Sequence, residues 1–251
     1  NTIDILDRNV FDFKKVRVRP RNTSFSKHRE IIYKKFKSTR ARDIVRSNCM
    51  NLQEYLTNEI ENVVNQKDLL LFTALGNPTY VPSNIEVDNN FMRLLGYVVS
   101  EGNIYYEKNL RGIRARTNIH FNTKEKEYLE DVKKIYEQLN IRYSITHQPK
   151  NSTTTISVSS RILAFLLDTY LKCGRDSYEA NIPDLVFSSD EEAKTDFLRS
   201  LFRGDGHVAF PKDTNSVVYD FGSISSIVVH KAILLLSSIG IVPSYKTSRS
   251  K

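Results

Sequence analysis

The sequence predicts an α+β fold of two pseudo-symmetric αββαββα units, the second C-terminally short, preceded by a basic N-terminal region. Three observations carry this prediction: a twelve-residue segment that occurs twice at an offset of 104 residues, a similar order of predicted elements after each copy, and a run of basic residues before the first copy. The predicted boundaries are 1–90 for the basic region, 91–187 for the first unit with its linker, and 188–251 for the second unit.

The composition is that of a globular protein. Hydrophobic residues make up 40% of the 251 residues and charged residues 26%. No apolar run approaches the roughly 20 residues of a membrane span, and no secretory signal begins the chain, so no membrane association is expected. Cys49 and Cys173 lie far apart without CxxC spacing. This argues against a disulfide framework or a zinc site and favours an intracellular location.

The basic region contains most of the excess charge. The chain has a formal charge of +8, and residues 14–46 hold 13 Lys or Arg against only Glu30 and Asp43. Such a run suggests a polyanionic partner, with nucleic acid as the first candidate, although a solvated basic surface has the same composition. Residues 15–19 alternate basic and apolar side chains and predict a strand. A helix is expected over 50–66 and a loop over 68–90.

The repeated segment predicts two helices that pack on each other. Residues 91–102 read FMRLLGYVVSEG, and residues 195–206 read TDFLRSLFRGDG. In each copy two small residues stand four positions apart, which places them on one face of a helix and lets two backbones approach closely. The predicted helix interface therefore comprises Gly96, Ser100, Ser200 and Gly204.

The elements after each copy follow a similar order. In the first unit we expect strands at 103–107 and 113–121, a helix at 124–139, strands at 141–148 and 153–159, and a helix at 160–172. In the second unit we expect strands at 207–211 and 216–223, a helix at 225–239, and a strand from 241. The fourth strand and the last helix have no counterpart in the second unit.

Each repeated helix ends in an acidic residue followed by glycine. Glu101 and Asp205 face the negative end of the helix dipole, which is unfavourable unless a cation is present. If the helices pack through their small residues, the two carboxylates emerge side by side and repel each other. Mg²⁺ suits such a pair and can support phosphodiester hydrolysis. The alternative is that the two carboxylates only cap surface turns.

These segments resemble a known family. LLGYVVSEG (94–102) and LRSLFRGDG (198–206) are similar to the two signature motifs of LAGLIDADG homing endonucleases, and residues 174–187 resemble the family's linker. The resemblance implies a monomer with a saddle-shaped sheet over double-stranded DNA. It also implies cleavage of both strands across the minor groove with Mg²⁺ or Mn²⁺, leaving 3′ overhangs.

The resemblance assigns roles to individual residues. Glu101 and Asp205 match the metal-binding acids, and Ser100 and Gly204 match positions that offer backbone carbonyls to metal. Lys172 stands where a basic residue near the scissile phosphate is plausible, although a lysine at a helix C-terminus needs no catalytic role. The counterpart of Lys172 would lie beyond residue 251, so we expect the second active site to be incomplete in this chain.

The strand at 113–121 has a polar face suited to DNA. Arginine can read guanine and asparagine adenine, and a two-stranded ribbon fits the major groove, whereas an ordinary solvated sheet face is the alternative. The predicted DNA-binding residues are Arg114, Arg116, Asn118, His120, Arg142, Ser144 and Thr146.

Other functional hypotheses remain open at this point. The chain could be a relative that no longer cleaves and serves as an RNA splicing maturase or a DNA-binding regulator, or it could be an intein fragment. Residues 32–44 faintly resemble the segment before the endonuclease insertion in inteins. Residues 1–90 are therefore either a DNA-contacting module or a degenerate splicing-domain remnant.

Overall fold

A computed structural model describes residues 2–6, 15–73, 77–110, 112–212 and 215–247. The α+β prediction is confirmed, and so is the pairing of two related units through their repeated helices. One continuous hydrophobic core runs from the N-terminal region through both units.

The first unit has the predicted αββαββα order. Its four antiparallel strands lie in the order β7-β8-β10-β9, and its helices contact β8 from one side. Alternation along β8 creates this arrangement, because Ala115, Ile119 and Phe121 are buried while Arg114 and Arg116 are exposed. The elements are α4 (Asn89–Glu101), β7 (Gly102–Asn109), β8 (Gly112–Asn122), α5 (Lys126–Gln138), β9 (Ser144–Gln148), β10 (Thr153–Val158) and α6 (Arg161–Phe165), followed by a π-helical turn (Leu166–Tyr170).

In the described part of the chain, the second unit repeats the first half of this order. A short helix in the linker precedes it, and its two strands form a separate ribbon. The strand predicted from residue 241 is wrong over 241–247, which have no regular structure. In the first unit β9 pairs with β10, and the described part of the second unit offers no such partner. The elements are α7 (Asp184–Phe187), α8 (Glu191–Asp205), β11 (Gly206–Ala209), β12 (Val218–Phe221) and α9 (Ser226–Ser238).

The second unit exposes several large apolar side chains. Phe210 is 74% exposed, Tyr219 is 70% exposed and Val242 is 90% exposed. On α9 only Val228, Ala232 and Leu235 are buried. This half is therefore packed more thinly than the first. No described helix combines the length and the apolar character that a membrane crossing requires.

The repeated helices begin and end alike. Asp88 caps α4 by accepting a hydrogen bond from the Phe91 amide (2.7 Å), and Asp190 caps α8 through the Ala193 amide (2.9 Å). A strand begins directly after each helix at glycine. Gly102 has an extended backbone (φ −85°), so the left-handed stop common at helix C-termini is not used here. Glycine is needed because a methyl group at Gly102 would lie 2.1 Å from the Val98 carbonyl oxygen.

The N-terminal region contains more strand than the sequence predicted. Residues 15–19 form a strand as expected, shifted slightly to Arg17–Pro20, at the centre of a sheet with the order β3-β2-β4-β5. The predicted loop over 68–90 is wrong, because it contributes two strands to this sheet and a third that pairs with β1. The strands are β1 (Thr2–Asp4), β2 (Arg17–Pro20), β3 (Met50–Asn51), β4 (Leu69–Phe72), β5 (Val81–Pro82) and β6 (Asn84–Glu86).

The described residues of this region include three α-helices, of which the third contacts the sheet and is shorter than predicted. They are α1 (Arg29–Lys35), α2 (Ser38–Ser47) and α3 (Leu52–Thr57). The helix expected over 50–66 is wrong beyond Thr57, because Glu59 adopts a left-handed backbone (φ 52°) that ends the helix. A single 3₁₀ turn, Ile60–Asn62, follows and buries Ile60.

Candidate metal centre and nucleic-acid interface

The site is organised by the contact between α4 and α8. Each serine of the repeated segments faces a glycine of the other helix. A methyl group at Gly96 would lie 2.1 Å from Ser200 Oγ, and one at Gly204 would lie 2.2 Å from Ser100 Oγ. The structure thus brings together the four small residues that the sequence places on the interface, and the two backbones approach closely.

The two serine hydroxyls are satisfied within their own helices. Ser100 Oγ donates to the Gly96 carbonyl (3.0 Å), and Ser200 Oγ donates to the Phe197 carbonyl (3.0 Å). Ser200 is completely buried. The interface is therefore filled by polar side chains without leaving these hydroxyls unpaired.

This packing brings the ends of both helices together. Gly204, the neighbour of Asp205, lies so close to Glu101 that a methyl group there would be 2.9 Å from Glu101 Cγ. Burial, the charge of Asp205 and the charge of Glu125 raise the pKa of Glu101 to about 7. Burial raises the pKa of Asp205 to about 6. Both carboxylates therefore sit where negative charge is unfavourable.

The residues at this point suit a hard divalent cation. Within the described part of the chain, neither carboxylate pairs with a cationic side chain. Carbonyls in the last turn of a helix lack intrahelical partners, and Ser100 is one such case because the Ile104 amide donates instead to Arg175 (2.8 Å). Two carboxylates and a carbonyl at a helix end are oxygen donors that Mg²⁺ accepts, with water and phosphate completing its shell. No group of three acidic, histidine or cysteine side chains able to hold a metal occurs among the described residues.

Asp131, which lies outside the two motifs, also shapes the site, and sequence reasoning missed the network around it. Asp131 on α5 accepts hydrogen bonds from Arg93 (3.1 Å) and from the Tyr97 hydroxyl (3.1 Å), and it pairs with Arg203 (3.5 Å). Arg203 also donates to the Tyr97 hydroxyl (3.0 Å). This network ties α4, α5 and α8 together just before the acidic residues. The partners lie far apart in sequence, so no local pattern indicates them.

Lys172 lies apart from the two carboxylates in the contacts of the described residues. It is exposed, adopts a left-handed backbone (φ 57°), and its carbonyl accepts a hydrogen bond from Asn181 (2.7 Å). Its charge contributes to lowering the pKa of Asp184, after the larger contribution of Lys231. No described contact joins Lys172 to Glu101 or Asp205.

The predicted DNA-reading side chains share the sheet face opposite the helices. Asn118 and His120 are half-buried; Asn118 accepts a hydrogen bond from Ser157 (2.8 Å), and His120 bonds Thr155 (3.0 Å). Burial lowers the pKa of His120, which favours the neutral form of the ring. The exposed members of the set are Arg114, Arg116, Arg142, Ser144 and Thr146.

The strand register relates this face to the carboxylates. Gly102, next to Glu101, pairs with Ile119, so Asn118 and His120 flank the acidic end of the sheet. Arg116 pairs with Tyr105 and Arg114 with Glu107, further along the hairpin. The polar face therefore runs from the candidate metal centre toward the distal turn of β7 and β8.

Comparison with known proteins agrees with the resemblance predicted from the two motifs. Residues 88–180 match the family model described as a LAGLIDADG-like domain, which includes the first motif but ends before the second. An uncharacterized protein of Methanocaldococcus jannaschii is 38% identical over 177 residues, 70% of this chain. A DNA polymerase of Thermococcus litoralis is 28% identical over 198 residues, 76% of this chain. The chain spans only 20% of the first relative and 11% of the second.

Solved structures show weaker similarity. A structure of I-DmoI in complex with DNA and Mn is 15% identical, with a TM-score of 0.44, covering 62% of this chain and 81% of that one. The LAGLIDADG homing endonuclease I-LtrWI, bound to target DNA, is 16% identical with a TM-score of 0.37, covering 61% and 73%.

Proposed function

We propose that this chain, in which residues 88–180 form a LAGLIDADG-like domain, is a divalent-metal-dependent endonuclease that cleaves double-stranded DNA at a specific site. The observation that carries the proposal is the pair of half-buried carboxylates, Glu101 and Asp205, at the adjoining ends of two tightly packed helices. The polar sheet face beside them supports DNA as the substrate. Resemblance to the family supports 3′ overhangs and action as a monomer.

Each part of the site has a distinct task in this proposal. Glu101, Asp205 and the carbonyls of Ser100 and Gly204 would hold Mg²⁺ or Mn²⁺. An ion held there would supply positive charge to the scissile phosphate and would lower the pKa of a water molecule. The α4–α8 contact fixes the spacing of the two acids, and the sheet face orients the duplex. We propose Lys172 as a third catalytic residue, because it stands where a basic residue near the scissile phosphate is plausible in the family that the motifs resemble.

The experiment is cleavage of a randomised plasmid library in Mg²⁺, with the ends read by sequencing. Discrete ends with short 3′ overhangs are expected from the wild-type chain, and EDTA should abolish them. Glu101→Gln and Asp205→Asn should bind duplex DNA without cutting it, while the exposed Glu86→Gln serves as a matched control and should cut normally. Cleavage by both site variants would contradict the assignment of the acids.

A second candidate function is sequence-specific binding without cleavage, as a splicing cofactor or regulator. The two-stranded ribbon of the second unit favours it, because this ribbon offers a smaller and more thinly packed sheet surface than the four-stranded sheet of the first unit. Wild-type protein that binds DNA or RNA but leaves the library intact in both Mg²⁺ and Mn²⁺ would establish this alternative.

The similarity to segments of longer proteins suggests that this chain is encoded inside a host protein. A match to only 11% of a DNA polymerase is what an element inserted into a host protein would produce. This is consistent with an intein-derived endonuclease. Purifying a longer natural gene product and measuring its mass after expression would reveal excision.

A further inference from the structure

A groove of about 1110 Å³ lies between the N-terminal sheet and the polar face of the first unit. Arg17 on β2 and Asn51 on β3 form one side, and β7 to β10 form the other. The groove has one carboxylate, Glu107, among its lining residues. Its cationic lining residues are Lys15, Arg17, Arg114, Arg116, Arg142 and Arg161.

These cations are available to a ligand. Within the described residues, none of the six takes part in a salt bridge. Other members of the basic run are engaged by the protein itself: Arg40 pairs with Glu54, and Lys35 with Glu59 (3.7 Å). A concentration of unpaired positive charge in one groove is the electrostatic signature of a polyanion site.

The two sides of the groove belong to one packed body. Lys15 Nζ lies 3.9 Å from the position that a methyl group on Gly112 would take, so the N-terminal region reaches the distal turn of the β7–β8 hairpin. The hydrophobic core is continuous across the same boundary. The groove is therefore a fixed feature and not a gap between independent modules.

We propose that this groove binds the sugar–phosphate backbone of duplex DNA on one flank of the cleavage site. The inference rests on the proposed function for the identity of the polyanion, and it adds the N-terminal region to the DNA-binding surface. The described residues of the second unit do not line the groove. The N-terminal region therefore contacts DNA only in the half of the target that the first unit covers.

The strand geometry gives the distance of this contact from the cut. The groove residues of the β7–β8 hairpin lie three to seven positions beyond Gly102, from the pair Tyr105 and Arg116 to Gly112, which pairs with Asn109. This is about 10–24 Å at the rise of an extended strand. A duplex that follows the strands would meet the groove about three to seven base pairs from the scissile region, at 3.4 Å per base pair. Protection should therefore extend further on one side of the cut than on the other.

The test is the salt dependence of binding to a fluorescein-labelled duplex of mixed sequence, measured in EDTA so that no cleavage occurs. The Lys15→Ala/Arg17→Ala variant should lower the slope of log K against log salt by about 2 and weaken binding about tenfold at moderate salt. Arg114→Ala removes a cation from the opposite side of the groove and should lower the slope by about 1. This variant tests the groove independently if the Lys15→Ala/Arg17→Ala variant does not fold. The matched control is Arg42→Ala/Arg46→Ala, which removes two exposed cations of the same basic run on α2.

The outcomes separate the groove from the nuclease. An unchanged slope in both groove variants, or an equal loss in the α2 control, would overturn the groove proposal even if the wild type cuts DNA. Conversely, loss of slope in the groove variants together with absence of cleavage would retain the groove and overturn the nuclease. Hydroxyl-radical footprints on the recovered target should lose protection on one flank only in the groove variants; symmetric loss would also overturn the proposal.

Discussion

Replacing Glu101 with Gln should stabilise the protein in the absence of metal. Burial and the neighbouring Asp205 charge raise the pKa of Glu101 from 4.5 for a free side chain to about 7. At 1.36 kcal/mol per pKa unit this corresponds to about 3 kcal/mol of unfavourable ionisation. Because the side chain keeps some access to solvent, screening reduces the expected effect to about 1–2 kcal/mol.

Proton linkage determines the direction in which pH changes the free energy of unfolding. The folded pKa lies above the unfolded one, so the native state binds the proton more tightly than the unfolded chain does. Stability is therefore highest below about pH 4.5 for this group and falls as pH rises to about 7, where the folded carboxyl ionises. A neutral glutamine removes this loss. The stability difference between Glu101→Gln and wild type should accordingly grow between these two pH values and then level off.

The assay is urea unfolding in EDTA at a pH above 7 and again near pH 4.5, with Glu86→Gln as the exposed control. The Gln variant should gain about 1–2 kcal/mol at the higher pH and nothing at the lower one. Added Mg²⁺ should stabilise the wild type and leave the variant unchanged, since ligand binding to the native state raises its stability. A Gln variant that is less stable than wild type at the higher pH in EDTA would refute the reasoning, because the carboxylate would then be stabilised by the protein.

Three further outcomes test the structure. Gly96→Ala forces a methyl group to 2.1 Å from Ser200 Oγ and should cost about 1–3 kcal/mol in chemical unfolding, whereas the open Gly222→Ala control should change stability by under about 0.5 kcal/mol. Asp131→Asn leaves two arginines without their shared carboxylate and should cost about 2 kcal/mol in the same assay; an unchanged midpoint would count against the network. Burial raises the pKa of the Cys173 thiol, so iodoacetamide should label the more accessible Cys49 first in native protein, and equal labelling would contradict the packing.

The sequence was most informative where its signal was duplicated. The repeat offset predicts both long helices, and the alternation along residues 113–121 predicts a half-buried strand that the structure confirms. Both signals are local, because each comes from the spacing of residues on one face of a single helix or strand. The pairing of the two helices could also be predicted, because small residues at positions i and i+4 allow two helix backbones to approach closely.

Prediction failed where long-range contacts decide the structure. Residues 69–72, Leu-Leu-Leu-Phe, form a fully buried strand, but prolines and glycine nearby make this stretch resemble a loop. The helix predicted to continue past Thr57 stops because Ile60 and the chain after it pack into the core instead. For the candidate site, sequence patterns place Glu101 and Asp205 at helix ends, while the network around Asp131 depends on three separate helices. The catalytic assignment of Glu101, Asp205 and Lys172 stays a prediction.

The uneven packing of the two halves has a kinetic consequence. The ribbon of β11 and β12 and the outer surface of α9 expose large apolar side chains, so opening this part exposes little additional apolar area and should occur often. Helix α8 does not belong to this frequently opening part, because Phe197, Ser200 and Leu201 are buried against α4. Asp205 is thus attached to the slowly opening part of the molecule, and amide exchange can be rapid throughout the terminal ribbon while the distance between the two acids stays constant.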